Sequence, residues 1–151
     1  GKIAMKKAIE KCQENGLALM TIRNSHHLGR IGTYGEQSIE AGVVSIHFVN
    51  VTDHSPYVLP YGGSDGRLAT NPICLAMPGT KNTPPFLLDM ATSKIAIGKA
   101  RFAMNKKEIL EEGLVVDHKG RPSNNPEVLS GYLYPEKEDN PPLGALTPSG
   151  E

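Results

Sequence analysis

The chain has 151 residues, 38% of them hydrophobic and 21% charged, which suits one folded domain with a buried core and excludes a disordered segment. Sixteen Lys and Arg offset sixteen Asp and Glu, whereas domains that track phosphate backbones carry a basic excess, so no nucleic acid partner is expected. The longest apolar runs, at 17–20 and 73–77, are far below the ~20 residues that cross a bilayer, so no membrane partner is expected either.

In chain order, Met5, Ala8, Ile9 and Cys12 fall at i, i+3, i+4 and i+7, with Lys6, Lys7, Glu10 and Lys11 opposite. That spacing predicts an amphipathic helix over 2–13, ended near Asn15-Gly16, where glycine can take the left-handed conformation. The run 17–22 reads as a short buried strand. Thr33 with Glu36 three positions later is a capping-box pattern, and Gly42 closes the second helix after Ala41. Residues 43–49 read as another buried strand. Two strands joined by a helix are expected to lie parallel, with a right-handed crossover. Residues 52–71, rich in Pro, Gly, Asp and Ser, read as a long ordered loop of the kind that usually carries function.

Further on, 73–77 and 86–88 read as short strands, with turns around Pro78-Gly79 and Pro84-Pro85. Thr92 or Ser93 can cap a helix through about Met104, with Ile95, Lys99 and Phe102 on one stripe. Residues 114–117 and the turn at Lys119-Gly120 suggest a hairpin edge, and the proline-rich remainder reads as coil. Gly1-Lys2-Ile3 opens as a helix start, not a signal peptide, and both ends read as those of a fragment. Cys12 and Cys74 match no redox or zinc-ligand spacing and read as two reduced buried thiols in a cytoplasmic protein, a single disulfide being the alternative.

Three places carry chemistry. Asn24-Ser25-His26-His27-Leu28-Gly29-Arg30-Ile31-Gly32 follows one apolar run and precedes a helix, where ligands of α/β proteins bind. A histidine there can exchange a proton with a hydroxyl or carbonyl oxygen, glycine lets backbone approach a ligand, and Arg30 can pair with a carboxylate or phosphate. A plain solvated loop would look the same by composition. The spacing Gly29-x-x-Gly32-x-x-Gly35 is no Rossmann fingerprint: it lacks the tight Gly-x-Gly, and Asp53 follows the wrong glycine pattern. Leu88-Asp89-Met90-Ala91-Thr92-Ser93-Lys94 again leads from strand to helix. Free helix amides with Thr92, Ser93 and Lys94 suit a phosphate, and Asp89 can orient an imidazole or bind a ribose hydroxyl. Pro60 to Asp65 and Thr70-Asn71-Pro72 form the third, since Asn before Pro is held extended and can fix Thr70 and Asn71 towards a pocket. His26, His27, His47 and His54 have no zinc-ligand spacing, so no metal is expected, and His47 reads as a hydrogen-bonded core residue of a strand.

Four stretches together, NSHHLGRIG (24–32), EAGVVSIHFVNV (40–51), PYGGSDGRLATNPICLAMP (60–78) and LDMATSKIAIGK (88–99), resemble the malate/L-lactate dehydrogenase type-2 family. The resemblance covers most of residues 1–130. It implies an α/β fold with a mixed sheet and flanking helices, a nicotinamide-binding scaffold other than the Rossmann fold. It implies NAD, with NADP as the alternative, a 2-oxo or 2-hydroxy acid substrate, and a cytoplasmic homodimer. His27-Leu28-Gly29 supplies the family's HxG element, whose histidine is the proton acceptor in some members, which implies that role for His27; the alternative is a proton donor in the family's upstream motif. By the same resemblance His27, Leu28, Gly29, Arg30 and Ile31, with Asp89, Met90, Ala91, Thr92 and Ser93, line the cofactor, and Thr70 and Asn71 lie near the substrate. Residues 1–151 then form the central cofactor-binding part, with the family's upstream Ser-His-Gly and downstream Lys-Gly-Tyr-Gly-Leu motifs outside it. Two rival readings are a catalytically silent piece serving dimer or domain contacts, and a phosphate-ligand binding module. The dehydrogenase reading requires the loops around His27 and Asp89 to converge on a single cleft able to seat a dinucleotide next to a small acid.

Overall fold

A computed structural model describes residues 1–51 and 54–149; Asp53 lies outside the described residues. Two helices are followed by three strands, a helix, two short strands, a 3₁₀ turn, a short helix and a last strand, and the chain divides into two compact units: Gly1–Phe48 with Ile73–Met90, and Val49–Pro72 with Ala91–Glu151.

The first unit opens with α1, Lys2–Asn15. Gly16 ends it in the left-handed conformation, φ 80°, and gives its N–H to the Cys12 carbonyl, the closure expected from the glycine. The second helix, α2, spans Gly32–Glu40. Strands β1 (Ser45–Phe48), β2 (Ile73–Met77) and β3 (Phe86–Met90) form one antiparallel sheet in that order. Its register sets His47 opposite Cys74 and Cys74 opposite Asp89, one cross-strand row on one face.

Helix α2 lies on that face through Gly35, where a Cβ would sit 2.7 Å from Leu87 Cδ1 and 3.1 Å from both Ala76 Cβ and Cys74 Sγ. The opposite face carries Ile46, Phe48, Ile73, Leu75, Met77, Phe86, Leu88 and Met90, all apolar, with Phe48 80% exposed.

Residues 17–22 form no strand. Leu17 is 81% and Leu19 94% exposed, and no ladder partner exists for this run among the described residues. An apolar run becomes a strand only where another strand takes its N–H and C=O groups. The predicted parallel crossover is therefore absent, and every ladder between the strands of both sheets is antiparallel.

The second unit is built around Val58, Ile95, Ala100, Ala103, Leu110, Val115, Leu129 and Leu146, all buried. Helix α3 spans Ile97–Lys106, and strands β4 (Val115–Val116), β5 (Pro122–Ser123) and β6 (Ala145–Leu146) form a small antiparallel sheet with β4 central. The predicted hairpin stands: Asp117 Oδ1 accepts from the Lys119 and Arg121 amides at 2.8 and 3.0 Å. The Arg121 amide above all holds the Asp117 carboxyl below the usual carboxylate range.

The remainder is not coil. Asn125 Oδ1 accepts from the Glu127 N–H at 3.0 Å and starts a 3₁₀ turn, Pro126–Leu129, continued by the short helix α4, Ser130–Leu133. Pro126 occupies a first-turn position, where its missing N–H costs nothing, so this proline starts structure instead of breaking it.

Candidate functional site

The 24–31 loop turns at Gly29, whose φ of 76° favours glycine and whose missing Cβ would meet nothing within 4 Å, so a ligand can approach the backbone there. The Gly29 N–H donates to His27 Nδ1 at 3.0 Å. An accepting Nδ1 carries no hydrogen, so the neutral ring bears its proton on Nε2. His27 is exposed, and Nε2–H is thus a donor available to a carbonyl oxygen. Tyr34, in the first turn of α2, donates from its hydroxyl to the Leu28 carbonyl at 2.5 Å and ties down the residue beside His27.

Ile31 is buried at 7% exposure and occupies the N-cap of α2. The expected capping box is not formed, and no side-chain bond from the N-cap exists. Glu36 instead accepts from Arg30 Nη1 at 2.8 Å. The Gly32 N–H, free at the helix start, donates to Asp89 Oδ2 at 2.7 Å. Arg30 Nε also lies 4.0 Å from Asp89 Oδ2, and the Asp89 side chain is only 19% exposed. Arg30 is therefore shared between two carboxylates, which compete with any anionic ligand. The end of the loop after His27 and the end of β3 come together at the Gly32–Asp89 bond.

Behind Asp89 in the same row stand Cys74, fully buried, and His47, half-buried. A hydroxyl chain fixes the His47 tautomer. Ser38 Oγ gives its one hydrogen to the Gly35 carbonyl at 2.7 Å, so Ser45 donates to Ser38 at 2.6 Å. His47 Nε2–H must then donate to Ser45 Oγ at 2.9 Å, which leaves titration to Nδ1. Burial pushes the Cys74 thiol up, with Asp89 adding to it. Burial also pushes His47 below its ordinary value of 6.5, against a smaller opposing pull from Asp89.

The folded state then binds fewer protons at His47 than the unfolded chain. Its contribution is present above the unfolded value of 6.5 and is lost as pH falls through the lower folded value. His47→Gln is expected to flatten the acid side of a plot of urea midpoint against pH. An unaltered slope would show that His47 is not the group responsible.

Thr70, Asn71, Ala91, Thr92 and Ser93 belong to the second unit. Thr70 Oγ1 hydrogen-bonds the Tyr57 hydroxyl at 2.5 Å, and its carbonyl accepts from the Val51 N–H at 3.1 Å. Thr92 and Ser93 cap no helix: α3 begins at Ile97 behind Ala96, and Ser93 Oγ donates to the Ile95 carbonyl at 2.8 Å. The stretch is held extended by the Lys94 N–H to Thr147 carbonyl and Ser149 N–H to Thr92 carbonyl bonds, 2.9 and 2.7 Å. That pairing removes the helix-start phosphate cradle expected at 92–94. Lys94 instead borders a cleft of about 160 Å³ lined also by Gly63 and Thr147.

The residues gave no sign of the Tyr34–Leu28 bond, the Arg30–Glu36 pair or the Ser38–Ser45 link, although His47 is the hydrogen-bonded strand residue that was expected. Spacing of i, i+6 across a loop, or a bond between separate elements, leaves no periodic signal. Both cysteines are free, with Cys12 partly exposed. Among the described residues no helix is long and apolar enough to cross a membrane, and no three His, Cys, Asp or Glu cluster to hold a metal.

An L-lactate dehydrogenase from Cupriavidus necator is 42% identical over 150 residues, covering 99% of this chain and 40% of that protein. Hydroxycarboxylate dehydrogenase B from Escherichia coli K12 is 44% identical over 143 residues, 95% of this chain and 37% of that protein. Among solved structures, a sulfolactate dehydrogenase from Methanocaldococcus jannaschii superposes with a TM-score of 0.73 at 35% identity, over 99% of this chain and 38% of that one. The chain thus spans about 40% of the length of the relatives it matches. The family profile of malate/L-lactate dehydrogenase matches residues 1–151 throughout, and the chain belongs to that family.

Proposed function

We propose that residues 1–151 are the central cofactor-binding part of a nicotinamide-dependent dehydrogenase that interconverts 2-oxo and 2-hydroxy acids. The observation that carries this is the 2.7 Å bond from the Gly32 N–H to Asp89 Oδ2, which brings the exposed His27 loop and the end of β3 to one place. Bound NAD, or NADP, supplies the hydride acceptor or donor. His27, Leu28, Gly29, Arg30 and Ile31, with Asp89, Met90, Ala91, Thr92 and Ser93, hold that cofactor in a non-Rossmann α/β scaffold, whose sheets in this chain are antiparallel and not mixed as expected. The open backbone at Gly29 and the second oxygen of Asp89 suit a dinucleotide. Thr70 and Asn71 face a substrate of the malate, lactate or hydroxyphenylpyruvate type. His27 handles the proton on the substrate oxygen: as a neutral ring it donates a hydrogen bond from Nε2, and as an imidazolium it yields a proton, with the Gly29 contact released.

The apolar face of the first sheet, with Ile46 59% and Phe86 49% exposed, favours a covering partner, and we assign it to assembly of a cytoplasmic homodimer. The rival in which the chain serves contacts alone is separated by a reduced-nicotinamide fluorescence titration of these 151 residues. For the complete gene product, oxidation of NADH or NADPH is expected with at least one of pyruvate, oxaloacetate or hydroxyphenylpyruvate. No oxidation with any of them, and no cofactor fluorescence change, would remove the proposal.

A further inference from the structure

We infer that Asp89 is a positioning residue: from β3 it clamps the first turn of α2 and through that turn sets the direction of His27. The inference rests on the role given to His27 above and adds how that side chain is aimed.

The contacts form a continuous series within the first unit. Asp89 Oδ2 accepts from the Gly32 N–H at 2.7 Å, across 57 positions of sequence. The amides of a first helical turn have no partner within the helix, and a carboxylate there is further favoured by the helix dipole. No side chain of α2 or of Ile31 supplies that cap, so the strand does. Tyr34 in the same turn then holds the Leu28 carbonyl, and Leu28 adjoins His27. Displacing Asp89 therefore shifts the helix start, the tyrosine and the imidazole in sequence.

Gly32 shows how tightly the junction is built. A Cβ there would lie 2.9 Å from Asp89 Oδ2 and 3.0 Å from both Arg30 Cζ and Arg30 Nη2. Gly32 has no left-handed backbone, so the absent side chain serves close approach and not conformation. Arg30 lies between Asp89 at 4.0 Å and Glu36 at 2.8 Å, so negative, positive and negative groups alternate along the junction. The carboxylate is thus engaged before any ligand arrives. A residue whose single duty was to hold a cofactor hydroxyl would gain nothing from that commitment.

The test uses the complete gene product with three variants. Asp89→Ala removes the clamp, Asp89→Asn keeps an oxygen that can accept from Gly32 while losing the charge, and Tyr34→Phe cuts the later contact to Leu28. Measured are kcat at saturating cofactor, the cofactor dissociation constant, and hydrogen exchange at the Gly32 and Gly29 amides. Asp89→Ala is expected to lower kcat by about 10²-fold, the scale of an ångström-sized misplacement of a reacting group, and to abolish protection at Gly32. Asp89→Asn is expected to recover most of kcat and the protection. Tyr34→Phe is expected to lower kcat with Gly32 still protected, and it carries the test if Asp89→Ala does not fold. The inference is overturned if Asp89→Ala weakens cofactor binding with kcat unchanged, or if Tyr34→Phe turns over at the normal rate. A wild-type protein without dehydrogenase activity would sink the functional reading instead, and exchange at Gly32 in Asp89→Asn and Asp89→Ala would still report on the clamp.

Discussion

Replacing His27 by alanine in the complete gene product is expected to lower turnover by about 10²–10⁴-fold, the usual contribution of a positioned proton-transfer group. Cofactor affinity is expected to change far less. The loop backbone, not the ring, offers the open approach at Gly29, and alanine leaves that glycine's conformation untouched. The His27 ring makes its hydrogen bond to its own loop, through Nδ1 to the Gly29 N–H, so its loss frees one exposed amide that water can satisfy.

His27→Gln sharpens the test. A glutamine amide can donate a hydrogen bond to a carbonyl oxygen but cannot give up a proton near neutrality. If His27 only polarised the oxygen, glutamine would restore much of the rate. If it transfers the proton, glutamine is expected to be as slow as alanine, and the pH dependence of kcat/KM is expected to lose the limb assigned to the ring. Equal loss of turnover and of cofactor affinity in His27→Ala would count against proton transfer.

Local features of this protein were legible in its residues, and long-range ones were not. Helix α1 follows from Met5, Ala8, Ile9 and Cys12 with Gly16 as its stop, because helix periodicity and a left-handed terminus are properties of neighbouring positions. The run 17–22 looked like a buried strand for a comparable local reason, yet burial needs a partner, and Leu19 has none. Thr92 and Ser93 read as helix caps until pairing with residues more than fifty positions later drew the stretch out. Thr33 and Glu36 matched a capping box, but the helix begins at Gly32 behind Ile31, so Thr33 lies inside it; Asp89 accepts from the Gly32 N–H, and Arg30 takes Glu36. The bond from the Gly32 N–H to Asp89 left no local signal, since no spacing rule joins positions 57 apart. Asn125-Pro126-Glu127 was different: a cap, a first-turn proline and an acid were readable, and the many nearby prolines obscured them.

Gly144→Ala is expected to be the most damaging small substitution in the second unit. A Cβ at Gly144 would lie 2.0 Å from the Val116 carbonyl oxygen, 2.8 Å from Val128 Cβ and 3.0 Å from Val128 Cγ2. The nearest of these is backbone, so no rotamer change relieves the clash; β6 must move off β4, where Ala145 pairs with Val116. Overpacking costs about 1–3 kcal/mol where side chains can yield, and a fixed carbonyl places this substitution at or above the upper end. For a chain of this size about 3 kcal/mol corresponds to a fall in Tm of roughly 6–12 °C. Gly98→Ala is the matched control, because Gly98 lies near the start of α3 with nothing within 4 Å of its Cβ position. There alanine is expected to stabilise by about 0.5–1 kcal/mol, through the smaller entropy of the unfolded chain and the better helix propensity. The same added methyl group should therefore move Tm in opposite directions at two glycines. The effect of Gly144→Ala extends along the chain as well, since β6 leads directly into Thr147, whose carbonyl holds the Lys94 amide beside Thr92 and Ser93. Equal melting of Gly144→Ala and wild type would show that the β4–β6 contact gives way more easily than a backbone clash allows.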